Sequence, residues 1–331
     1  MRRLLVGTMI LTTLGALASF FWYANTLAFF TQEFRDASPS EHHALFEKYY
    51  GKLTANQMAT AIESTSGICH GQTHELGKVV YAHTKDIGEA FRECGKSCTE
   101  GCFHGVLMAA LGADNAAGIK DGQHIKLADL SAKVSDICAT AQDHRPGNCA
   151  HGIGHAFTYL ADYRPDIALP LCESFPTLPL KFYCAGGTYM EFDMNKYDLV
   201  CDDTTPYTAV CWTYKARHFI GKTKSFGEAS EKCLALPGLQ RRGCFRGLGF
   251  MYMGTVENYP DLLPSICNAG DLDDKIVCIE GVIEKLADAH EARAIEACKY
   301  FGEPLRAACD RAARDKLYAL DKPFERYLKA E

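Results

Sequence analysis

Sixteen cysteines constrain the fold of this 331-residue chain more than any other feature, because twelve of them fall in pairs whose partners lie ten to twelve residues apart. If one straight helix joined two partners, eleven steps of about 1.5 Å would separate their Cα atoms by about 16 Å. A disulfide needs a separation of about 4.4–6.8 Å. The chain must therefore reverse direction between partners, and glycine or proline lies in every gap. The pairs are Cys138/Cys149, Cys172/Cys184, Cys201/Cys211, Cys233/Cys244, Cys267/Cys278 and Cys298/Cys309.

Each pair predicts a helical hairpin whose two arms are joined by a disulfide. The second cysteines recur at intervals of 35, 27, 33, 34 and 31 residues, which are periods of α-helical solenoids. The arms that begin at these cysteines carry apolar residues at helical spacing, and strand-type alternation is scarce. The predicted fold is therefore all-α: disulfide-stapled helical-hairpin repeats that form a solenoid. It resembles tetratricopeptide and Sel1-like solenoids in architecture alone, because their consensus residues are not found in register.

Four further cysteines precede these pairs and allow three connectivities. We favour Cys94–Cys102 as the disulfide of an early repeat and Cys69–Cys98 as a link to the first repeat. The spacing of Cys94, Cys98 and Cys102 is also compatible with a thiol relay or a soft-metal patch. Structural disulfides are the favoured interpretation.

The cysteines and the N-terminus both indicate an extracytoplasmic location. Closely spaced C-x2-C pairs, typical of zinc modules in a reducing cytosol, do not occur, and so many paired cysteines suit an oxidising compartment. After Arg2 and Arg3, an uncharged run over residues 4–30 exceeds the roughly 20 residues that span a bilayer. We predict an uncleaved, single-pass anchor with the repeats on the periplasmic or extracellular side; signal-peptide cleavage after residues 16–18 is the alternative. The absence of an N-x-S/T sequon favours a bacterial periplasm.

Three segments follow from these patterns. Residues 1–30 are the predicted signal anchor, residues 31–68 a linker with N-terminal capping helices, and residues 69–331 a cysteine-rich repeat domain. Capping boxes that start at Ser38 and Thr54 predict two helices in the middle segment. A net charge of −6 argues against a nucleic-acid binder, since no basic run beyond Arg2-Arg3 and Arg241-Arg242 would neutralise phosphates.

A candidate metal site emerges when the second arms are aligned on a glycine that recurs in them. The positions just before this glycine and three after it hold histidine or methionine in the N-terminal repeats, and the C-terminal repeats lose them. Histidines four residues apart share one helix face, which is a common metal-ligand arrangement. Imidazole suits zinc and copper, and an added thioether favours Cu(I), so copper is placed ahead of zinc. The predicted ligands are His70, His74, His104, Met108, His151 and His155 on the concave face.

Two other interpretations stay open. The histidines can be structural, because glycine permits close helix packing and a flanking histidine can hydrogen-bond across that contact. The protein is then an interaction scaffold whose concave face binds a peptide or an envelope protein, as solenoids often do. The aromatic residues considered for such a groove are Tyr189, Trp212, Tyr214, Phe250 and Tyr252.

Whether the protein is an enzyme is left open by the sequence. The string from His70 to Glu75 is not a zincin motif, because the glutamate follows the second histidine. Glu75 is considered only as a base or as a residue that orients a metal ligand. Glu191 and Asp193 are interpreted as solvated, and His42 and His43 as facing solvent.

Overall fold

The computed structural model describes residues 23–65, 69–95, 97–112, 127–140, 146–194, 199–202, 205–322 and 324–328. Within these ranges the chain is helical and contains no strand, so the all-α prediction is confirmed for this part of the protein. The chain divides into two compact units, unit 1 (Met1–Asp114) and unit 2 (Asn115–Glu331). The predicted repeat domain over 69–331 contributes to both units.

Unit 1 contains six helices in its described residues. They are α1 (described over 23–36), α2 (His42–Tyr49), α3 (Ala55–Thr65), α4 (His70–Thr84), α5 (Ile87–Cys94) and α6 (Gly101–Leu111). The predicted capping boxes at Ser38 and Thr54 are present. Glu41 accepts a hydrogen bond from the Ser38 amide, and Thr54 and Gln57 bond each other's backbone N–H groups.

The end of the predicted anchor packs inside unit 1. Residues 31–36, expected to form a link, continue helix α1. Phe30 and Phe34 on this helix are buried; the ring of Phe30 lies 5.3 Å from that of Tyr49, and Phe34 stacks on His42 at 4.5 Å. The interpretation of His42 as solvent-facing is therefore wrong, whereas His43 is half exposed.

The predicted anchor over residues 1–30 falls mostly outside the described residues, which begin at residue 23. Among the helices that are described, none combines the length and apolar character needed to cross a bilayer.

Unit 2 contains twelve helices in its described residues. They are α7 (Leu127–Thr140), α8 (Pro146–Leu160), α9 (Pro165–Leu171), α10 (Leu178–Met194), α11 (Thr208–Ile220), α12 (Phe226–Leu234), α13 (Gly238–Met251), α14 (Met253–Asn258), α15 (Leu263–Ile266), α16 (Leu272–Cys298), α17 (Leu305–Asp315) and α18 (Glu325–Leu328). Helix α16 is interrupted at His290, whose backbone is non-helical.

All sixteen cysteines form disulfides, and every favoured pairing is present, including Cys69–Cys98 and Cys94–Cys102. Their Cα separations of 5.2–5.7 Å confirm that the chain reverses between partners. The first arms are less regular than predicted. Cys201 lies in a non-helical stretch, α9 has only seven residues and contains Pro170, and α15 has only four.

The helices that begin near the second cysteines pack closely on one another, α8 on α10, α11 on α13 and α13 on α16. Glycine makes this approach possible. A Cβ atom at Gly187 would overlap the carbonyl oxygen of His151, and one at Gly281 would overlap that of Arg246. The residues that flank these glycines are therefore held against the neighbouring helix.

Candidate metal centre

Helices α4 and α6 of unit 1 bring three of the predicted ligands together. His70 and His74 lie one turn apart at the start of α4, and His104 lies on α6. Gly101 and Gly105 let the helices approach, because a Cβ atom on either would overlap the carbonyl oxygen of His70 or His74. The sequence of α6 thus places His104 beside the α4 pair. We call these residues the histidine triad.

The histidine triad is compact and buried. The ring of His70 lies 4.8 Å from that of His74 and 4.9 Å from that of His104, and each residue offers a nitrogen within 4.8 Å of those of the others. Their exposed fractions are 9%, 2% and 0%. These three imidazoles are therefore shielded from solvent, so that water would compete weakly with them for a metal ion.

Hydrogen bonding fixes the tautomer of one of these imidazoles. The Nδ1 atom of His70 lies 3.2 Å from the carbonyl oxygen of Cys98. A carbonyl oxygen only accepts, so this nitrogen carries the proton and Nε2 keeps a lone pair in the neutral ring. Metal-bound histidines commonly donate their second N–H to such an oxygen, which orients the ring. The Cys69–Cys98 disulfide fixes this carbonyl next to His70.

The spacing of the nitrogen atoms suits a bound transition metal. His70 Nε2 and His104 Nδ1 are 3.2 Å apart. Two ligands at about 2.0–2.1 Å from a tetrahedral zinc ion lie about 3.4 Å from each other. The same 3.2 Å also fits a hydrogen bond donated by His104, so the geometry accommodates a metal-bound state and a metal-free state. His74 would add a third imidazole to such a site.

Unit 2 holds the other two predicted histidines, which we call the histidine pair. His151 and His155 lie on α8 with their Nε2 atoms 3.2 Å apart. His155 Nδ1 lies 2.6 Å from a carboxylate oxygen of Glu191 on α10, and all three residues are at most 3% exposed. The interpretation of Glu191 as solvated is wrong, because the packing of α8 on α10 buries it. Its position at the histidine pair was missed by sequence reasoning, which had no measure of this contact.

Two titratable residues near Glu191 in the sequence or the structure, Tyr159 and Asp193, have shifted pKa values. Burial and the negative charge of Glu191 raise the pKa of Tyr159. Asp193, also interpreted as solvated, is 7% exposed and lies 2.6 Å from Arg217 and 2.7 Å from His218. Burial raises the pKa of Asp193, although Arg217 acts in the opposite direction.

The remaining candidate residues lie as follows. Met108 is fully buried on α6, one turn after His104. Glu75 forms an ion pair with Lys78 at 2.7 Å and lies 3.2 Å from Nδ1 of His43, so its carboxylate has partners at the surface. Of the aromatic residues considered for a groove, Tyr189 and Tyr214 are buried. Tyr214 and Phe250 line a cavity of about 30 Å³ that His151 also borders. This volume is enough for about one water molecule.

The structure thus describes an all-α, disulfide-rich protein with buried histidine clusters. No family model, curated protein or solved structure matches the chain. The function is therefore argued from the geometry of the site.

Proposed function

We propose that this protein is a membrane-anchored, extracytoplasmic repeat protein that binds a transition metal, copper or zinc, through the histidine triad. The convergence of three buried imidazoles from two helices carries the proposal. Imidazole is a ligand for both metals. The Cys98 carbonyl supplies the oxygen that orients His70, as expected of a metal ligand.

Charge favours Cu(I) over a divalent ion in the triad. Three neutral imidazoles bring no negative charge to offset that of the metal. The cost of burying an ion in a medium of low dielectric constant rises steeply with its charge, so a monovalent ion is easier to accommodate. Met108, one turn from His104, would add a thioether, which also favours Cu(I). The histidine pair of unit 2 is a second, two-imidazole candidate with Glu191 as its orienting carboxylate.

The cellular setting is part of the same proposal. Eight disulfides, and no free thiol, suit an oxidising compartment such as a periplasm. The apolar run at the N-terminus supplies the anchor. The regular recurrence of the hairpins supports a solenoid of the tetratricopeptide or Sel1-like kind.

Metal content measured by mass spectrometry tests the proposal. The chain is produced in an oxidising compartment with α1 retained, since Phe30 and Phe34 pack in unit 1. We expect about one equivalent of copper or zinc per chain after reconstitution. His70→Ala/His104→Ala should remove it, whereas His43→Ala, at a half-exposed position, should not.

The variant His151→Ala/His155→Ala separates the two clusters. We expect it to retain the metal bound to the triad. Far-UV circular dichroism and disulfide mapping would establish that every variant is folded. A metal equivalent that survives loss of His70 and His104 contradicts the proposal, as does the absence of metal in the unsubstituted protein after reconstitution with Cu(I) and Zn(II).

The second candidate function is an interaction scaffold with structural histidines. One observation favours it. Arg246, Glu280 and Glu284, which occupy the positions of the histidines in the last repeats, contact Lys322 and Tyr327 near the C-terminus, as they would contact a peptide.

A further inference from the structure

The C-terminal segment, residues 317–322 and 324–328, lies across one side of unit 2. It contacts five helices, each of which begins near the second cysteine of a disulfide pair. Its contacts are to His151 on α8, Phe182 and Tyr183 on α10, helix α11, Arg242 and Arg246 on α13, and Glu280 and Glu284 on α16. We call the surface formed by these helices the segment face.

Side chains of the segment face bind the backbone of the C-terminal segment. The hydroxyl of Tyr183 lies 2.8 Å from the carbonyl oxygen of Leu317 and 2.7 Å from that of Ala319. Arg242 donates to the carbonyl oxygen of Arg326 at 2.8 Å. Backbone carbonyls of a bound peptide are held in this way, by donors that do not depend on the peptide's sequence.

Charge selects the side chains that fit. Glu280 and Glu284 are 4% and 3% exposed, and Arg246 is the basic residue of the face that lies beside Glu284, at 2.7 Å. The C-terminal segment adds Lys322, 2.7 Å from Glu284, and Arg326, 3.0 Å from Glu280. The segment thus places one basic group against each of the two carboxylates, so the segment face fits a basic ligand.

Aromatic rings supply the apolar part of the contact. Phe324 packs edge to face against Phe182 and Tyr183, each with ring centroids 5.5 Å apart. Tyr327 receives a hydrogen bond from Arg246 at 3.0 Å and donates one to Glu280. Such anchors, a buried aromatic ring beside a paired charge, are typical of binding hot spots.

The segment face differs from an ordinary core in its chemistry. A surface that is buried only for stability is normally apolar, because removing charged groups from water costs free energy. Here three of the four residues at the positions that correspond to the histidines are charged, namely Arg246, Glu280 and Glu284, and the fourth is Phe250. Glu280 and Glu284 are both buried, and burial and the charge of Glu284 raise the pKa of Glu280.

We propose that the segment face is a binding site for a peptide of another protein that carries basic and aromatic residues in the pattern Lys-x-Phe-x-Arg-Tyr, and that the C-terminal segment is its built-in competitor. The pattern is that of Lys322, Phe324, Arg326 and Tyr327. This inference does not depend on metal binding to the triad, because its argument uses no residue of unit 1.

A fluorescent peptide with the sequence of residues 316–331 tests this inference on the full chain by anisotropy. The substitutions Lys322→Glu/Arg326→Glu place acidic groups against Glu280 and Glu284 and should release the segment in the protein. We expect this variant to bind the peptide at least tenfold more tightly than the unsubstituted chain. A peptide with the same two substitutions should not bind, and Lys299→Glu/Arg306→Glu, at exposed positions of unit 2, should leave the affinity of the chain unchanged.

A second form of the protein tests the same inference if the charge-reversal variant does not fold. A protease site inserted after Lys316 allows the folded chain to be cut, and the labelled peptide should then exchange with the cut segment. Failure of the peptide to bind either folded form overturns the proposal. Unfolding of both forms also overturns it, since the segment is then part of the core and not a displaceable ligand.

Discussion

The histidine triad of unit 1 and the histidine pair of unit 2 use one local device in different surroundings. In each, an oxygen atom lies next to Nδ1 of one histidine, and Nε2 of that histidine faces a second imidazole nitrogen at 3.2 Å. The oxygen is a neutral carbonyl, that of Cys98, in unit 1 and the carboxylate of Glu191 in unit 2. A cation held by the pair has a buried counter-ion, whereas one held by the triad has only neutral ligands. The neighbouring helix, more than the histidine spacing, decides what each cluster can bind.

The largest expected effect comes from removing the disulfide that holds the Cys98 carbonyl. Cys69→Ser/Cys98→Ser should lower the free energy of unfolding by about 2–5 kcal/mol. It should also weaken metal binding by about 10- to 100-fold, because His70 loses the oxygen that orients it. Competition titration with a Cu(I) chelator and urea unfolding would measure the two quantities.

The matched control for that experiment is Cys298→Ser/Cys309→Ser, which removes a disulfide of unit 2. Stability should fall by a similar amount with metal affinity intact. An equal loss of affinity in both variants would show that the disulfide acts through general stability and not through His70.

A single methyl group should separate the helices that form the triad. Gly105→Ala places a Cβ atom against the carbonyl oxygen of His74, so α4 and α6 must move apart at a cost of about 1–3 kcal/mol. Metal affinity should fall with stability. Gly71→Ala, on the open side of α4, should be neutral or stabilise the protein by up to about 1 kcal/mol. Equal unfolding midpoints for the two variants would count against the close approach of the helices.

A smaller effect is expected at the histidine pair. Glu191→Gln keeps an oxygen acceptor for His155 but removes its charge, so unfolding should be easier by about 1 kcal/mol. Metal bound to the triad should be unaffected. Loss of that metal equivalent in Glu191→Gln would show that unit 2 supplies the principal site, and would reverse the assignment of the two clusters.

The smallest effect should follow Met108→Leu, which nearly conserves volume. We expect zinc content and the unfolding midpoint to change little, since three imidazoles suffice to hold the ion, and Cu(I) affinity to fall modestly with the loss of the thioether. Unchanged Cu(I) affinity would remove Met108 from the ligand set.

The cysteine spacing predicts the helical hairpins and their disulfides because both depend on distances along a short stretch of chain. The i, i+4 histidines are predictable for the same reason. By contrast, Glu191 becomes a partner of His155 only through the packing of α8 on α10, and His42 is buried only because α1 continues past Phe30. The position of the C-terminal segment is equally unpredictable, since nothing local indicates that Lys322 lies against Glu284.

The order of the cysteines has a consequence for how the protein is made. From Cys138 onward, every disulfide joins two consecutive cysteines of the chain. An oxidase that acts on an emerging polypeptide therefore joins the correct partners as they appear. The first four cysteines are interleaved: Cys69 must pass over Cys94 to reach Cys98. Pairing in order of appearance would be wrong there, and thiol–disulfide exchange would be needed to correct it. Cells that lack a disulfide isomerase should therefore accumulate protein with an intact unit 2 and a mispaired unit 1.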